Sequence, residues 1–316
     1  MFTIVGSGFG LYGYLPALID ELKEVVVLPE RYRATILTRP ELRTYLDKVK
    51  WAEDRERAFA EATGVAIATR PDLQPKTVLT CYRYPRIKRL TIEKPVASNP
   101  RLANHVLEEL INSGIKFRIG YSFLYAAWHE SLHVLKETVN AHDELLISWR
   151  FTAHHFVNDI NNWKRHATHG GGVIRFFGIH LVALLAECGY SAVVTSSTFG
   201  ANLDEIERWR AIFSGPGLPK CVLDVDSRST QEHFKVEIRK QSGRLQLVSL
   251  SDPFDAELID SHWPARDRRI NVLTKLLRSF SDDDSNMYDL YKRINNLWET
   301  IEVNSDFAVC TASGIN

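Results

Sequence analysis

Apolar positions in the first 120 residues fall in short, nearly unbroken runs separated by segments of helical period. Strands buried on both faces of a parallel sheet alternate with covering helices in this way. Residues 2–5 (FTIV) read as the first strand, 15–22 (LPALIDEL) as the helix after it and 24–28 (EVVVL) as the second strand. The segment 41–48 leads to a short strand at 49–52, and a helix over 54–64 is expected to end on Gly64 as its C-cap. Strands follow at 65–69 and, after a brief connection, 87–95; residues 100–113 turn helical, and 116–123 is the strand that leaves this part. Beyond it the pattern becomes strand-like, at 144–153, 192–200, 209–215, 221–227, 233–241 and 244–250, with few helices between. That order predicts an α/β domain over 1–120 and an α+β domain with an antiparallel-type sheet over 121–316. An acidic loop at 281–286 precedes a final helix, 287–302, placed to pack back on the first domain.

Length and charge narrow what such a chain can do. At 316 residues it is comfortable for two domains, and its 39 basic and 39 acidic residues leave no net charge to draw in nucleic acid or an anionic membrane. A small neutral or mildly anionic molecule is the expected partner. The N-terminus enters a strand without a basic leader, and no uninterrupted apolar run reaches the roughly 18 to 20 residues that span a bilayer, so a cytoplasmic location is expected. Cys81, Cys188, Cys221 and Cys310 lack C-x-x-C spacing and read as ordinary thiols. His154, His155, His166 and His169 crowd one region as possible pocket groups, but no H-E-x-x-H spacing accompanies them, and no metal is expected.

Three stretches carry chemistry. The first is GSGFG, where Gly6 and Gly8 directly after a strand allow a tight turn and close approach of a pyrophosphate to a helix N-terminus. The third glycine of the full fingerprint is replaced by Leu11, so the motif is weak by itself. At the end of the second strand, Glu30 would suit the ribose 2′-hydroxyl of NAD, whereas Arg31 and Arg33 would suit the 2′-phosphate of NADP and tilt the choice toward it. The second stretch, TIEKP, puts Lys94 at the carboxyl end of a parallel strand, where ligands of such sheets bind and an ammonium can donate to a substrate oxygen. The third, HGGGVIRFFGIH, puts three glycines ahead of an apolar helix containing His180 and Arg175.

Taken together, GSGFG, EKP and NNWKRHATHGGGVIRFFGIH resemble the oxidoreductase family of glucose-fructose oxidoreductase, inositol dehydrogenase and the rhizopine-catabolism protein MocA. The resemblance runs along nearly the whole chain. It implies an N-terminal Rossmann domain, a C-terminal domain on an open, mostly antiparallel sheet that often forms a homo-oligomer interface, and NAD(P)-dependent redox chemistry at a sugar or cyclitol carbon. By the same resemblance Gly6, Ser7, Gly8 and Phe9 form the dinucleotide turn, and Thr69, Arg70, Pro71 and Gln74 lie against the cofactor. Glu93, Lys94 and Pro95 stand near the nicotinamide, with Lys94 reaching the substrate and Pro95 following a cis bond. Tyr121, Asn162, Trp163, Lys164, Phe176 and His180 fall to the substrate pocket, with Lys94 and His180 as the catalytic pair.

The departures shape the reading. The family's aspartate, four residues before the histidine and one helical turn away on its face, is here Phe176, and an aspartate often found three residues after the histidine is Ala183. Phenylalanine cannot relay a proton. Asp159 and Asn162 are the nearby polar groups expected to stand in, and Tyr121, Tyr125 and Trp128 point to an aromatic pocket of different shape. Two functions fit. One is an oxidoreductase in which Lys94 and His180 act without a carboxylate. The other is a family member that binds a dinucleotide or ligand as a sensor or partner-binding protein without turnover. Retention of both Lys94 and His180 favours the enzyme.

Overall fold

All four residues of β1 (Phe2–Val5), β2 (Val26–Pro29) and β4 (Gly64–Ile67) are buried, as central strands covered on both faces must be. A computed structural model describes residues 1–133, 135, 140, 142–255 and 267–310 of the chain. These divide into two compact units, one of 1–97, 105–125 and 267–288, the other of 98–104, 126–255 and 289–310.

In the first unit these strands join β3 (Lys50–Ala52), β5 (Arg89–Ile92) and β6 (Lys116–Ile119) in one six-stranded sheet of order β3-β2-β1-β4-β5-β6, parallel at every pairing. Strand order therefore reverses between β1 and β4, and a doubly wound sheet binds ligands at the carboxyl edge of that switch point. The helices include α1 (Arg33–Thr38), α2 (Arg55–Glu61), α3 (Gln74–Cys81) and α4 (Pro100–Asn112), the last shared between the units. The chain after β1 winds as two π-helical turns, Gly10–Tyr14 and Ala17–Glu21, whose buried Leu11, Tyr14, Leu15 and Leu18 face the core.

Sequence and structure part company at four places in this unit. Gly64 does not cap α2; the helix ends before the extended Ala62, and Gly64 opens β4. It is glycine because a Cβ there would stand 2.6 Å from the Phe2 ring. The "brief connection" after β4 holds α3, whose weak apolar pattern and Pro75 disguise it. The 116–123 strand stops at Ile119, and Ser122–Tyr125 forms a 3₁₀ turn. The helix that returns to the first unit is Ile270–Arg278, unmarked in the sequence reading; its Ile270, Leu273, Leu276 and Leu277 enter the core beside β1 and β2. The C-terminal helix, Asp284–Val303, belongs from residue 289 to the second unit.

The second unit is built on seven strands in the order β12-β11-β7-β10-β9-β8-β13. They are β7 (Glu144–Thr152), β8 (Ala192–Asn202), β9 (Glu205–Ser214), β10 (Lys220–Asp226), β11 (Arg228–Lys240), β12 (Gly243–Leu250) and β13 (Ser305–Val309). Four pairings are antiparallel and two, β7 with β10 and β8 with β13, are parallel. Burial alternates along β9 and β10, so Trp209, Ala211 and Phe213 line up with Cys221, Leu223 and Val225 on the covered face. Helix α5 (Ile179–Cys188) lies on that side, with Glu187 its single residue that is not buried. Its approach to the sheet is close: a Cβ on Gly178 would meet the Trp209 ring at 2.8 Å. The stretch Ala167–Cys188 has the length and hydropathy of a membrane-crossing helix, but 78% of its apolar window is buried inside the protein.

Candidate functional site

The glycine turn after β1 is shaped by contacts that exclude side chains. Gly6 has φ +125°, and a Cβ on it would strike the Ala68 carbonyl oxygen at 2.2 Å, so β1 and the end of β4 meet there only through glycine. Beside this turn, at the carboxyl edge of β1 and β4, lies a cavity of about 580 Å³. Val5, Gly6, Ser7, Tyr32, Thr35, Thr69, Leu73, Thr77 and Thr80 line it together with three cations, Arg31, Arg55 and Lys76, and among the described residues no carboxylate does. Arg31 stacks on Tyr32 at 5.2 Å and Arg55 on Phe59 at 5.0 Å, which leaves both guanidiniums their hydrogen-bonding edges. The Thr69 hydroxyl and Arg55 Nε are buried without a hydrogen-bond partner. Such a cradle suits a doubly charged oxyanion.

The expected cofactor residues divide around this cavity. Gly6, Ser7, Arg31 and Thr69 line it. Glu30 does not; it pairs with Arg33 at 2.5 Å, and Arg33 stacks on Trp51 at 4.7 Å, so neither borders the cavity. Arg70 is held by Asp72 at 2.9 Å, and Pro71 is buried. Phe9 packs edge-on to Tyr12 and Tyr14, with the Arg269 guanidinium 4.1 Å above its ring. Gln74 is 0% exposed and shows no surface to a cofactor; its Nε2 donates to the Pro95 carbonyl at 2.7 Å. Arg55 and Lys76 escaped the sequence reading, the first because it sits just past the short β3 and the second because α3 was missed. An arginine directly after a parallel strand was the available signal for Arg55.

The EKP corner follows β5. Lys94 and Glu93 are half-buried, Pro95 is buried, and the Lys94–Pro95 peptide is cis. The Tyr14 hydroxyl donates to Glu93 Oε1 at 2.6 Å. Burial raises the Glu93 carboxyl above its ordinary range, opposed by the charge of Lys94, the Tyr14 bond and Arg269. Tyr121 is 0% exposed, and Trp128 is buried with its indole N–H on the Pro253 carbonyl, so both are packing residues, not the aromatic pocket lining expected of them. Burial pushes the Tyr121 phenol upward, which suits a core residue.

In the second unit the three glycines hold a loop in place. Gly170 (φ +84°) ends a 3₁₀ turn, and Gly172 (φ +78°) donates to the Lys164 carbonyl at 2.8 Å. At Gly171 a Cβ would collide with the Trp163 and Lys164 carbonyl oxygens at 2.3 and 2.6 Å. The glycines thus let the 161–166 loop fold back on the helix start. Its other ties are the Asn162 side-chain oxygen on the Lys164 N–H at 3.0 Å, and His166, bonded to Asp204 at 3.0 Å and Asn161 at 2.6 Å. Trp163 and Lys164 are thereby brought to Phe176, the indole at 5.2 Å and the ammonium 5.3 Å over the ring. Phe176 lies in a π-helical turn, Val173–Gly178, that runs into α5, where His180 is 6% exposed. The aromatic surface continues through Phe177 to Phe151, at 4.7 Å each.

Asp159, by contrast, has its side chain 95% exposed and paired with Arg165 at 3.2 Å, away from any role as the missing carboxylate. His155 is 3% exposed and its pKa is pushed down to about 4 by burial and by Lys164, Arg165 and His154. Among the described residues no group of three or more His, Cys, Asp or Glu is placed to hold a metal.

No protein-family model and no curated protein matches the sequence. Solved structures do match its fold. One is KijD10, a 3-ketoreductase from Actinomadura kijaniata in complex with NADP and TDP-benzene, with TM-score 0.72 at 13% identity over 98% of this chain and 99% of that one. Another is GenD2 from gentamicin A biosynthesis, in complex with NAD, with TM-score 0.72 at 16% identity over 96% and 93% of the two chains. A third is an oxidoreductase from Agrobacterium radiobacter in complex with NAD+, L-tartaric acid and magnesium, with TM-score 0.67 at 14% identity over 95% and 96%. With a parallel sheet of Rossmann order and a mixed, mostly antiparallel sheet in the second unit, the chain has the two-domain fold of the glucose-fructose oxidoreductase, inositol dehydrogenase and MocA type.

Proposed function

We propose that the chain is an NADP(H)-dependent oxidoreductase acting at a keto or hydroxyl carbon of a sugar, sugar nucleotide or cyclitol-like substrate. The observation that carries the reading is the cavity beside Gly6 and Ser7 with Arg31, Arg55 and Lys76 on its walls and no acid among the described residues that line it. A 2′-phosphate on the adenosine ribose fits that charge, and NAD, which has a hydroxyl there, would leave the three cations unanswered. When bound, the nicotinamide supplies the hydride. KijD10 and GenD2, which share the fold, are described as complexes with NADP and with NAD.

The side chains would handle the proton, and the same group serves both directions, as acid in reduction and as base in oxidation. Lys94 is that group in this reading and His180 the second acid/base group, while the helical position of the family's carboxylate is Phe176. Trp163, Phe176 and Phe177 offer flat apolar faces to the carbon side of a sugar ring. Self-association through the seven-stranded sheet belongs to the same proposal.

The test is NADPH oxidation with keto sugars, sugar-nucleotide ketones and cyclitol ketones. A substrate should appear, and Lys94→Ala should cut its rate by about 100-fold or more. An activity indifferent to that substitution would remove Lys94 from the mechanism. Phe176 also favours the second reading, a dinucleotide-binding protein without turnover; tight NADPH binding with no oxidation across the panel would select it.

A further inference from the structure

The residues on both sides of Lys94, the proposed proton donor, are gripped by hydrogen bonds from other elements. On its N-terminal side, the Glu93 carboxyl accepts the Tyr14 hydroxyl at 2.6 Å. Tyr14 is fully buried in the helical turn after the glycine loop, and the Phe9 ring stands edge-on to it at 5.7 Å. Space for the carboxyl is reserved by Gly120, where a Cβ would lie 2.8 Å from Glu93 Oε1. On the C-terminal side, Gln74, fully buried at the start of α3, donates from Nε2 to the Pro95 carbonyl at 2.7 Å. The two neighbours of Lys94, Glu93 through its side chain and Pro95 through its carbonyl, are thus tied to the glycine-turn helix and to α3, two elements that also border the cation-lined cavity or its turn.

We propose that Tyr14, Glu93 and Gln74 are positioning residues that hold Lys94 and set its electrostatic surroundings, linking the dinucleotide turn to the proton donor. The inference rests on the oxidoreductase reading for what Lys94 does, but not for the grip itself. Tyr14 matters through Glu93: its hydrogen bond stabilises the carboxylate, and without it the carboxyl next in sequence to Lys94 takes up a proton at higher pH and the ammonium loses a neighbouring negative charge. Gln74 matters through geometry, because a displacement of about 1 Å at a reacting group costs on the order of 100-fold in rate.

Tyr14→Phe keeps the ring and removes only the donor; Gln74→Leu removes the grip on Pro95; Glu93→Gln keeps an acceptor and removes the charge. In each, NADPH affinity by nicotinamide fluorescence should stay within about threefold of the parent while kcat for ketone reduction falls by about tenfold to 100-fold. In Tyr14→Phe the acidic limb of the kcat profile should move to higher pH, and in Glu93→Gln it should disappear. A purely structural role would lower thermal stability and NADPH affinity and leave the pH profile in place, and that result would overturn the proposal. A readout independent of turnover is the pH dependence of Lys94 modification by pyridoxal 5′-phosphate with borohydride, followed by peptide mass spectrometry. Lys94 should label along a shifted curve in Tyr14→Phe and Glu93→Gln while exposed lysines do not change. Superimposable Lys94 curves would refute the grip even in a protein without activity, whereas shifted curves without turnover would keep the grip and reject the oxidoreductase reading.

Discussion

Arg175 and Phe176 are adjacent in the π-helical turn that leads into α5, one a part-buried ion-pair anchor and the other an apolar wall. Arg175 resembles a misplaced charge in an apolar helix. Its guanidinium binds Glu302 through two bonds of 2.7 Å, the Ser98 carbonyl at 2.9 Å and the Ala167 carbonyl at 2.5 Å, while the Trp298 indole donates to Glu302 at 2.7 Å. It fastens the helix start to the C-terminal helix and to the loop that carries Trp163 and Lys164. Arg175→Ala strands a part-buried carboxylate and two carbonyls, so chemical denaturation should show a loss of about 3 kcal/mol; a change below about 0.5 kcal/mol, the range of ordinary surface substitutions, would contradict the clamp. Phe176 looks ordinary and is not: with Trp163 on one edge and Lys164 over its face, it turns the place of a carboxylate into apolar wall. The substitution itself was legible from the spacing to His180. Its surroundings were not, because the Trp163 and Phe176 rings are brought together by the glycine-dependent fold of a loop.

At the scale of elements, the glycines and the short His154–Val157 helix after β7 set the electrostatics of that loop. His155 is buried in this helix beside Phe156, with Lys164 and Arg165 near enough to oppose its protonation. Its pKa falls from 6.5 to about 4, so the unfolded chain binds the extra proton more readily across that interval. The stability this group contributes is therefore complete above about pH 6.5 and is lost as pH falls toward 4. Urea unfolding from pH 7 to 5 should show the parent losing stability with a slope of up to about 1.4 kcal/mol per pH unit from this group, and His155→Gln should be flatter by that amount. Equal slopes would place the histidine in contact with water. Elements of strong period were legible: the strands of both sheets fall close to their expected positions. Those that were missed had a physical disguise. Helix α3 begins Gln-Pro and carries little amphipathic contrast, and β13 is a short strand that, among the described residues, pairs with β8 alone.

At the scale of the whole molecule, the sequence separated a parallel α/β part from a mostly antiparallel part, and the motifs named the fold that the solved structures share. Sequence order hid the return of 267–288 to the first unit, because an amphipathic helix does not announce which core receives it. It also hid the third wall of the cavity. Arg31 was visible at the end of β2, but only folding brings Arg55 and Lys76 from two other helices to the same space. That convergence is the central claim, and titration of the protein with NADPH and NADH, followed by nicotinamide fluorescence, tests it most directly. NADPH should bind at least about tenfold tighter than NADH, since the 2′-phosphate gains charge-assisted hydrogen bonds that a hydroxyl cannot make. Arg31→Glu with Arg55→Glu should erase or invert that preference. Equal affinity for the two, undisturbed by the double substitution, would contradict the assignment of the cavity, and failure to bind either at high concentration would contradict the oxidoreductase reading as a whole.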